Sequence, residues 1–128
     1  MIYLDSSVLL AQLLMEERRP PDSFWRHPLT SSRLLVYEVW VRIHARGVRE
    51  AQYGEVRHAL ARVNLVEMTE VALARALRPV PVTLRTLDAL HLATLDYLQS
   101  QRETVELASY DNRLIAAAQA LGFSLAAL

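Results

Sequence analysis

Short apolar runs alternate along this chain with longer stretches in which apolar residues recur every three or four positions. The first run, Ile2-Tyr3-Leu4, reads as a strand that stops at Asp5. Ser6 is placed to cap the next segment, Ser7 to Met15, which reads as a helix. Pro20-Pro21 breaks the chain, and Phe24-Trp25 anchors a short helix or loop ahead of a weak strand at Leu29 to Ser32. Leu34 to Arg46 is predicted as a helix ended by Gly47, and Arg49 to Arg62 as a second, the two forming an antiparallel hairpin. Val63 to Met68 is the next strand, followed by a helix from Glu70 to Arg78 that Pro79 and Pro81 stop. Leu84 to Gln101 reads as a long amphipathic helix. Val105 to Ser109 is a strand, Asn112 to Leu121 a helix closed by Gly122, and Phe123 to Leu128 a last apolar strand. Such alternation predicts an α/β fold whose parallel sheet is covered on both faces. In sheets of that kind ligands collect beyond the carboxyl ends of the strands.

The chain has 128 residues, which predicts a single domain over 1–128 able to bury a core without staples. It has no cysteine. Disulfides, thiolate zinc sites and cysteine nucleophiles are thereby excluded, and a reducing cytoplasm is the expected compartment. No signal peptide is visible and no apolar run approaches the ~20 residues that span a bilayer. All 14 basic residues are arginine, matched by 14 acidic ones for a net charge of zero. Without lysine, P-loop phosphate binding, Schiff-base chemistry and lysine-dependent phosphoaspartate sites are ruled out. Without net positive charge, any nucleic acid must be held by local arginines and bound cations.

Most carboxylates lie in polar surroundings, but four do not. Asp5 ends the first strand between apolar neighbours, where capping a helix is its simplest role. Glu38 lies in Leu-Leu-Val-Tyr-Glu-Val-Trp-Val, beside a stripe of Leu34, Leu35 and Val41, where an ion pair with Arg42 is the plain alternative. Asp88 shares a helix stripe with Leu84, Leu87, His91 and Leu95, and could pair with Arg85 or His91. Asp111 follows the Val105–Ser109 strand and could cap the last helix. Two acids thus sit where a strand gives way to a helix, and two in apolar helix stripes. A parallel sheet would bring those places to one edge. Four carboxylates gathered there would repel one another, and a hard divalent cation, Mg2+ or Mn2+, would resolve the repulsion. Such an ion lowers the pKa of a bound water and offsets charge on a phosphodiester, so hydrolysis needs no protein nucleophile.

These segments resemble the PIN-domain family, and within it the VapC-type toxins of VapBC toxin–antitoxin systems. The resemblance rests on Asp5-Ser6 after the first strand, Glu38 in an apolar helix, Leu-Arg-Thr-Leu-Asp-Ala-Leu-His-Leu-Ala around Asp88, and Tyr-Asp at Asp111 with Gly-Phe-Ser-Leu near the end. It implies a three-layer α/β/α sandwich on a mostly five-stranded parallel sheet. It also implies a catalytic metal site of Asp5, Glu38, Asp88 and Asp111, endoribonuclease activity, a homodimer, and neutralisation by a small VapB-like antitoxin. Asp5 and Asp88 would be the principal ligands. Ser6 would bind phosphate or metal-bound water, with Ser109 as a supporting residue. Arg33 and Arg42, with Arg46 and Arg49 further along, border the Glu38 helix and could contact RNA phosphates. His91 reads as a core or supporting residue, and Trp25, Trp40 and the tyrosines as core or interface. The competing readings are a PIN fold that binds RNA or protein without cutting, and a hydrolase acting on DNA or phosphomonoesters.

Overall fold

The computed structural model describes residues 1–128. Five parallel strands, β1 (Ile2–Leu4), β2 (Leu29–Ser32), β3 (Val63–Val66), β4 (Glu106–Ala108) and β5 (Ser124–Leu125), form one sheet in the order β3-β2-β1-β4-β5. Six helices connect them: α1 (Ser6–Leu13), α2 (Leu34–Ala45), α3 (Tyr53–Ala61), α4 (Glu70–Ala74), α5 (Thr86–Ser100) and α6 (Asn112–Ala120). No helix is long and apolar enough to cross a membrane.

Period-two alternation on the central strands divides the core in two. Ile2 and Leu4 of β1 and Ala108 of β4 join Val8, Leu9, Leu35, Val39 and Ile43 in the cluster under α1 and α2, to which α3 adds Val56 and Leu60. Tyr3 and Leu107 belong instead to the cluster of Leu92, Leu95, Leu114, Ala117 and Phe123 under α5 and α6. The result is the expected α/β/α sandwich on a five-stranded parallel sheet.

Several boundaries differ from the sequence reading. Asp5, not Ser6, is the cap of α1; Ser6 is the first helical residue. The helix expected from Arg49 begins only at Tyr53, after a 3-10 turn over Glu50–Gln52. Both α2 and α3 pack against α1. The helix expected to run to Arg78 tightens into a 3-10 turn at Arg75–Leu77, ahead of Pro79. α5 starts at Thr86, so Leu84 falls outside it. β5 pairs over two residues only, with Ala126 N–H donating to the Leu107 carbonyl at 2.8 Å just beyond them. Gly47 and Gly122 both adopt positive φ, 65° and 83°, as residues that stop helices do.

Candidate active site at the carboxyl edge of the sheet

The strand order reverses between β1 and β4: one half of the chain builds outward through β2 and β3, the other through β5. In open parallel sheets a crevice opens at such a switch, beyond the carboxyl ends of the strands. Asp5 follows β1 there, Ser109 and Asp111 follow β4, and the first turn of α5 supplies Asp88. Asp5, Glu38, Asp88 and Asp111 line one open cavity of about 440 Å3, together with Ser6 and Arg42. Glu38, Asp88 and Asp111 also line an adjoining cavity of about 650 Å3, whose other walls include Arg85, Thr86, Asn112 and Arg113.

Asp5 is 5% exposed and held on one side only. Its Oδ2 accepts from the Ser7 hydroxyl at 2.5 Å, the Ser109 hydroxyl at 2.8 Å and the Ser7 N–H at 3.4 Å. Those hydroxyls accept in turn from the N–H groups of Tyr110 and Asp111, at 2.9 and 3.0 Å, which ties the end of β1 to the loop after β4. No protein donor reaches Oδ1. Asp111 caps α6 through Oδ1, which accepts from Arg113 and Leu114 N–H at 2.9 and 3.3 Å, and its Oδ2 has no protein partner. Glu38 accepts from His91 Nε2 at 2.5 Å through Oε1, leaving Oε2. Asp88 receives no hydrogen bond from the protein. Every one of the four therefore presents at least one carboxylate oxygen with no protein donor.

The Asp88 carboxyl is held above the ordinary carboxylate range, first by burial and then by the charges of Asp111 and Asp5, against the opposing influence of His91 and Arg113. The negative charges of Asp111 and Asp5 thus add to the cost that burial imposes on an ionised Asp88. His91 is 2% exposed. Burial is the largest single influence on it and disfavours its charge, but the hydrogen bond to Glu38 and the charges of Glu38, Asp5 and Asp88 outweigh burial and raise it above the usual imidazole value.

The plain alternatives fare unevenly. Glu38 pairs with His91 and not with Arg42. Asp88 pairs with neither Arg85 nor His91. Capping is real for Asp5 and Asp111, yet it occupies only one oxygen of each. Arg33 is engaged by Glu67 through both Nε and Nη2, and Arg46 lies 3.5 Å from Glu16. Ser7, which sequence reasoning passed over, bonds Asp5 directly, and Tyr3, expected only in the core or an interface, reaches Glu38 through His91. Ser7 carried no signal, being one of two adjacent serines in the first turn of a helix.

The donor set suits a hard cation. All available atoms are carboxylate oxygens, and no thiol is present. No three of the acidic or histidine side chains are packed into a ready-made chelating cluster.

Topology and edge chemistry together define a three-layer α/β protein with an acidic pocket at its switch point. The chain belongs to the PIN-domain family, whose model matches residues 2–120. Among similar proteins, a protein named ribonuclease VapC46 from Mycobacterium tuberculosis H37Rv is 36% identical over 98% of this chain and 96% of its own length. One named ribonuclease VapC47 from the CDC 1551 strain is 31% identical over 96% and 93%. Among solved structures, a toxin–antitoxin complex from Klebsiella pneumoniae superimposes with a TM-score of 0.68 at 23% identity, covering 94% of both chains. The sarcin–ricin-loop-cleaving toxin VapC20 of M. tuberculosis gives 0.65 at 16% identity over the whole of both chains.

Proposed function

We propose that this protein is a metal-dependent endoribonuclease, the toxin of a type II toxin–antitoxin pair, with residues 1–128 working as one nuclease domain. The observation that carries the reading is the set of four carboxylates around one pocket, each with a free oxygen. The names of its relatives supply the substrate class: the ribonucleases it matches along nearly their whole length act on RNA by name. Asp5, Glu38, Asp88 and Asp111 would hold Mg2+ or Mn2+. A divalent ion there supplies a more acidic coordinated water and compensates charge on the phosphodiester.

The chain's own contribution is to hold the four carboxylates in place and to seat the RNA. Arg85 and Arg113, which line the larger cavity with Asp88 and Asp111, are the arginines best placed to take RNA phosphates, together with Arg42, which lines the pocket shared by all four acids. Arg33 pairs with Glu67 at the surface and lines neither cavity. Ser6 lines the pocket where a phosphate or a coordinated water would sit. Tyr37 and Leu87, 64% and 46% exposed at the rim, offer apolar surface to an unstacked base. The double variant Arg85→Ala/Arg113→Ala is expected to bind RNA more weakly and to reduce the salt dependence of binding by about 1–2 units of log–log slope, one contact per arginine. Filter binding across a salt series reads this directly, and an unchanged slope would remove both residues from the RNA path.

A small antitoxin would block the same pocket by placing an arginine among the four acids. A homodimer belongs to the same reading; Val71, Leu77 and Val80 are exposed apolar residues of the kind a second copy covers. The cysteine-free chain suits the cytoplasm, where such a toxin would meet its RNA.

The deciding experiment is cleavage of a structured RNA by purified protein with Mg2+, with Mn2+ and with EDTA. Cleavage that needs the metal is expected. Cleavage that survives EDTA would overturn the metal site, and RNA that is bound but never shortened under any metal would favour a non-cutting binding module.

A further inference from the structure

Behind the acidic pocket lies a buried hydrogen-bonded file that the proposed chemistry does not use. The N–H of Ser32, at the end of β2, donates to the Tyr3 hydroxyl oxygen at 3.2 Å. The Tyr3 oxygen lies 2.8 Å from His91 Nδ1, and His91 Nε2 lies 2.5 Å from Glu38 Oε1. Tyr3 and Ser32 are fully buried and His91 nearly so, while Glu38 retains 19% side-chain exposure at the pocket wall. The file thus runs from the backbone of the sheet, across β1 and α5, to one carboxylate on α2.

Its polarity follows from the donors available. Because the Tyr3 oxygen already accepts from Ser32, its own proton is free for Nδ1 of a neutral imidazole, and that forces the ring proton onto Nε2. If the imidazole is charged, both nitrogens donate. In either state Nε2–H points at Glu38. A glutamate at the edge of a helix otherwise swings through three side-chain torsions, and Arg42 one turn further on would be a competing partner. Anchoring Oε1 narrows the side chain's torsional range and leaves Oε2 without a protein donor.

We infer that Tyr3 and His91 are positioning residues for Glu38, holding its carboxylate in the orientation that a divalent cation in the acidic pocket requires. This rests on the metal reading above. Neither residue touches substrate; they act through Glu38. Residues that hydrogen-bond to ligating carboxylates commonly govern metal affinity by about 10- to 100-fold.

The test is Mn2+ binding by the full chain without RNA, followed by the electron paramagnetic resonance of free Mn2+, with each variant's fold checked by circular dichroism. Tyr3→Phe removes one oxygen and leaves the packing, so it serves even where a larger change at His91 prevents folding. Tyr3→Phe and His91→Leu are expected to weaken Mn2+ binding about tenfold or more, whereas His91→Gln, which can return an amide N–H toward Glu38, recovers part of the loss. Raising Mn2+ to saturation should restore most of the cleavage rate. In a Glu38→Gln background, Tyr3→Phe should change Mn2+ affinity no further. Folded Tyr3→Phe or His91→Leu protein with wild-type Mn2+ affinity would overturn the inference alone. Losses that simply add to that of Glu38→Gln would do the same. Wild-type protein that takes up no Mn2+ would bring down the metal site and this role together.

Discussion

Asp88→Asn is expected to lower metal-dependent RNA cleavage by roughly a thousandfold, and to leave the protein at least as stable as before. Losing a ligand to a cation worth several kcal/mol of transition-state stabilisation corresponds to about three powers of ten in rate. The fold is spared because nothing in it leans on this carboxylate, which accepts no hydrogen bond from the protein. The pH dependence has a definite sign. Burial, then Asp111 and Asp5, raise the Asp88 carboxyl in the folded protein above its ordinary value of 3.8. The native state therefore holds its proton to higher pH than the unfolded chain does, and stability falls as pH rises through the interval between the two values. Without metal at neutral pH, ionised Asp88 destabilises the native protein, and asparagine removes that penalty. Thermal melts in EDTA should place Asp88→Asn at or above wild type at pH 7, with the difference closing as pH falls toward 3.8. With Mn2+ at about 100 times its dissociation constant, wild type should gain about 2.7 kcal/mol and the variant much less. A variant that cuts RNA normally, or that melts well below wild type at pH 7 in EDTA, contradicts this account.

The same residue shows how far the sequence could be read. Asp5 and Asp111 stood out because each follows a short apolar strand, and those boundaries are local facts. β1 and β4 are bounded by abrupt polarity changes, so they are found within a residue or two. Asp88 was legible as a misplaced charge, although its setting is more open than its apolar neighbours suggested: Leu84 is outside α5 and Leu87 is 46% exposed. What the sequence could not display was anything fixed by register or by the crossing of layers. Arg33 looked available because it borders the Glu38 helix. The parallel pairing of Ser32 with Val66 sets the next residue of each strand side by side, and so delivers Arg33 to Glu67. Ser7 and Ser109 meet at Asp5 across 102 residues, and Tyr3 meets His91 across 88, distances at which no periodicity reports. Helix starts were misjudged for a related reason. Arg49 to Gln52 carries no strong breaker, yet Glu50–Gln52 closes as a 3-10 turn and α3 begins only where Tyr53 packs on Trp40 and His44.

Asp5→Ala should fail in both respects, losing cleavage as fully as Asp88→Asn and destabilising the fold as well. Asp5 Oδ2 is the acceptor for two hydroxyls and for a first-turn N–H of α1, and it joins the end of β1 to the loop after β4. Removing a helix cap costs about 1 kcal/mol, and leaving a part-buried hydroxyl without its acceptor costs about 1–3 kcal/mol. A loss of roughly 2–4 kcal/mol follows, or on the order of 10 °C in melting temperature for a chain of this size. Asp5→Asn keeps a carbonyl oxygen for the serines and should retain much of that stability while remaining inactive. The contrast between the two aspartates is the discriminating result. If both served only the metal, Asp5→Ala and Asp88→Asn would melt alike; if Asp5 were only a cap, Asp5→Asn would still cut RNA. Loss of activity at both positions, with loss of stability at Asp5 alone, is the pattern required of a pocket in which one carboxylate is built into the sheet and the other is held against its neighbours' charge.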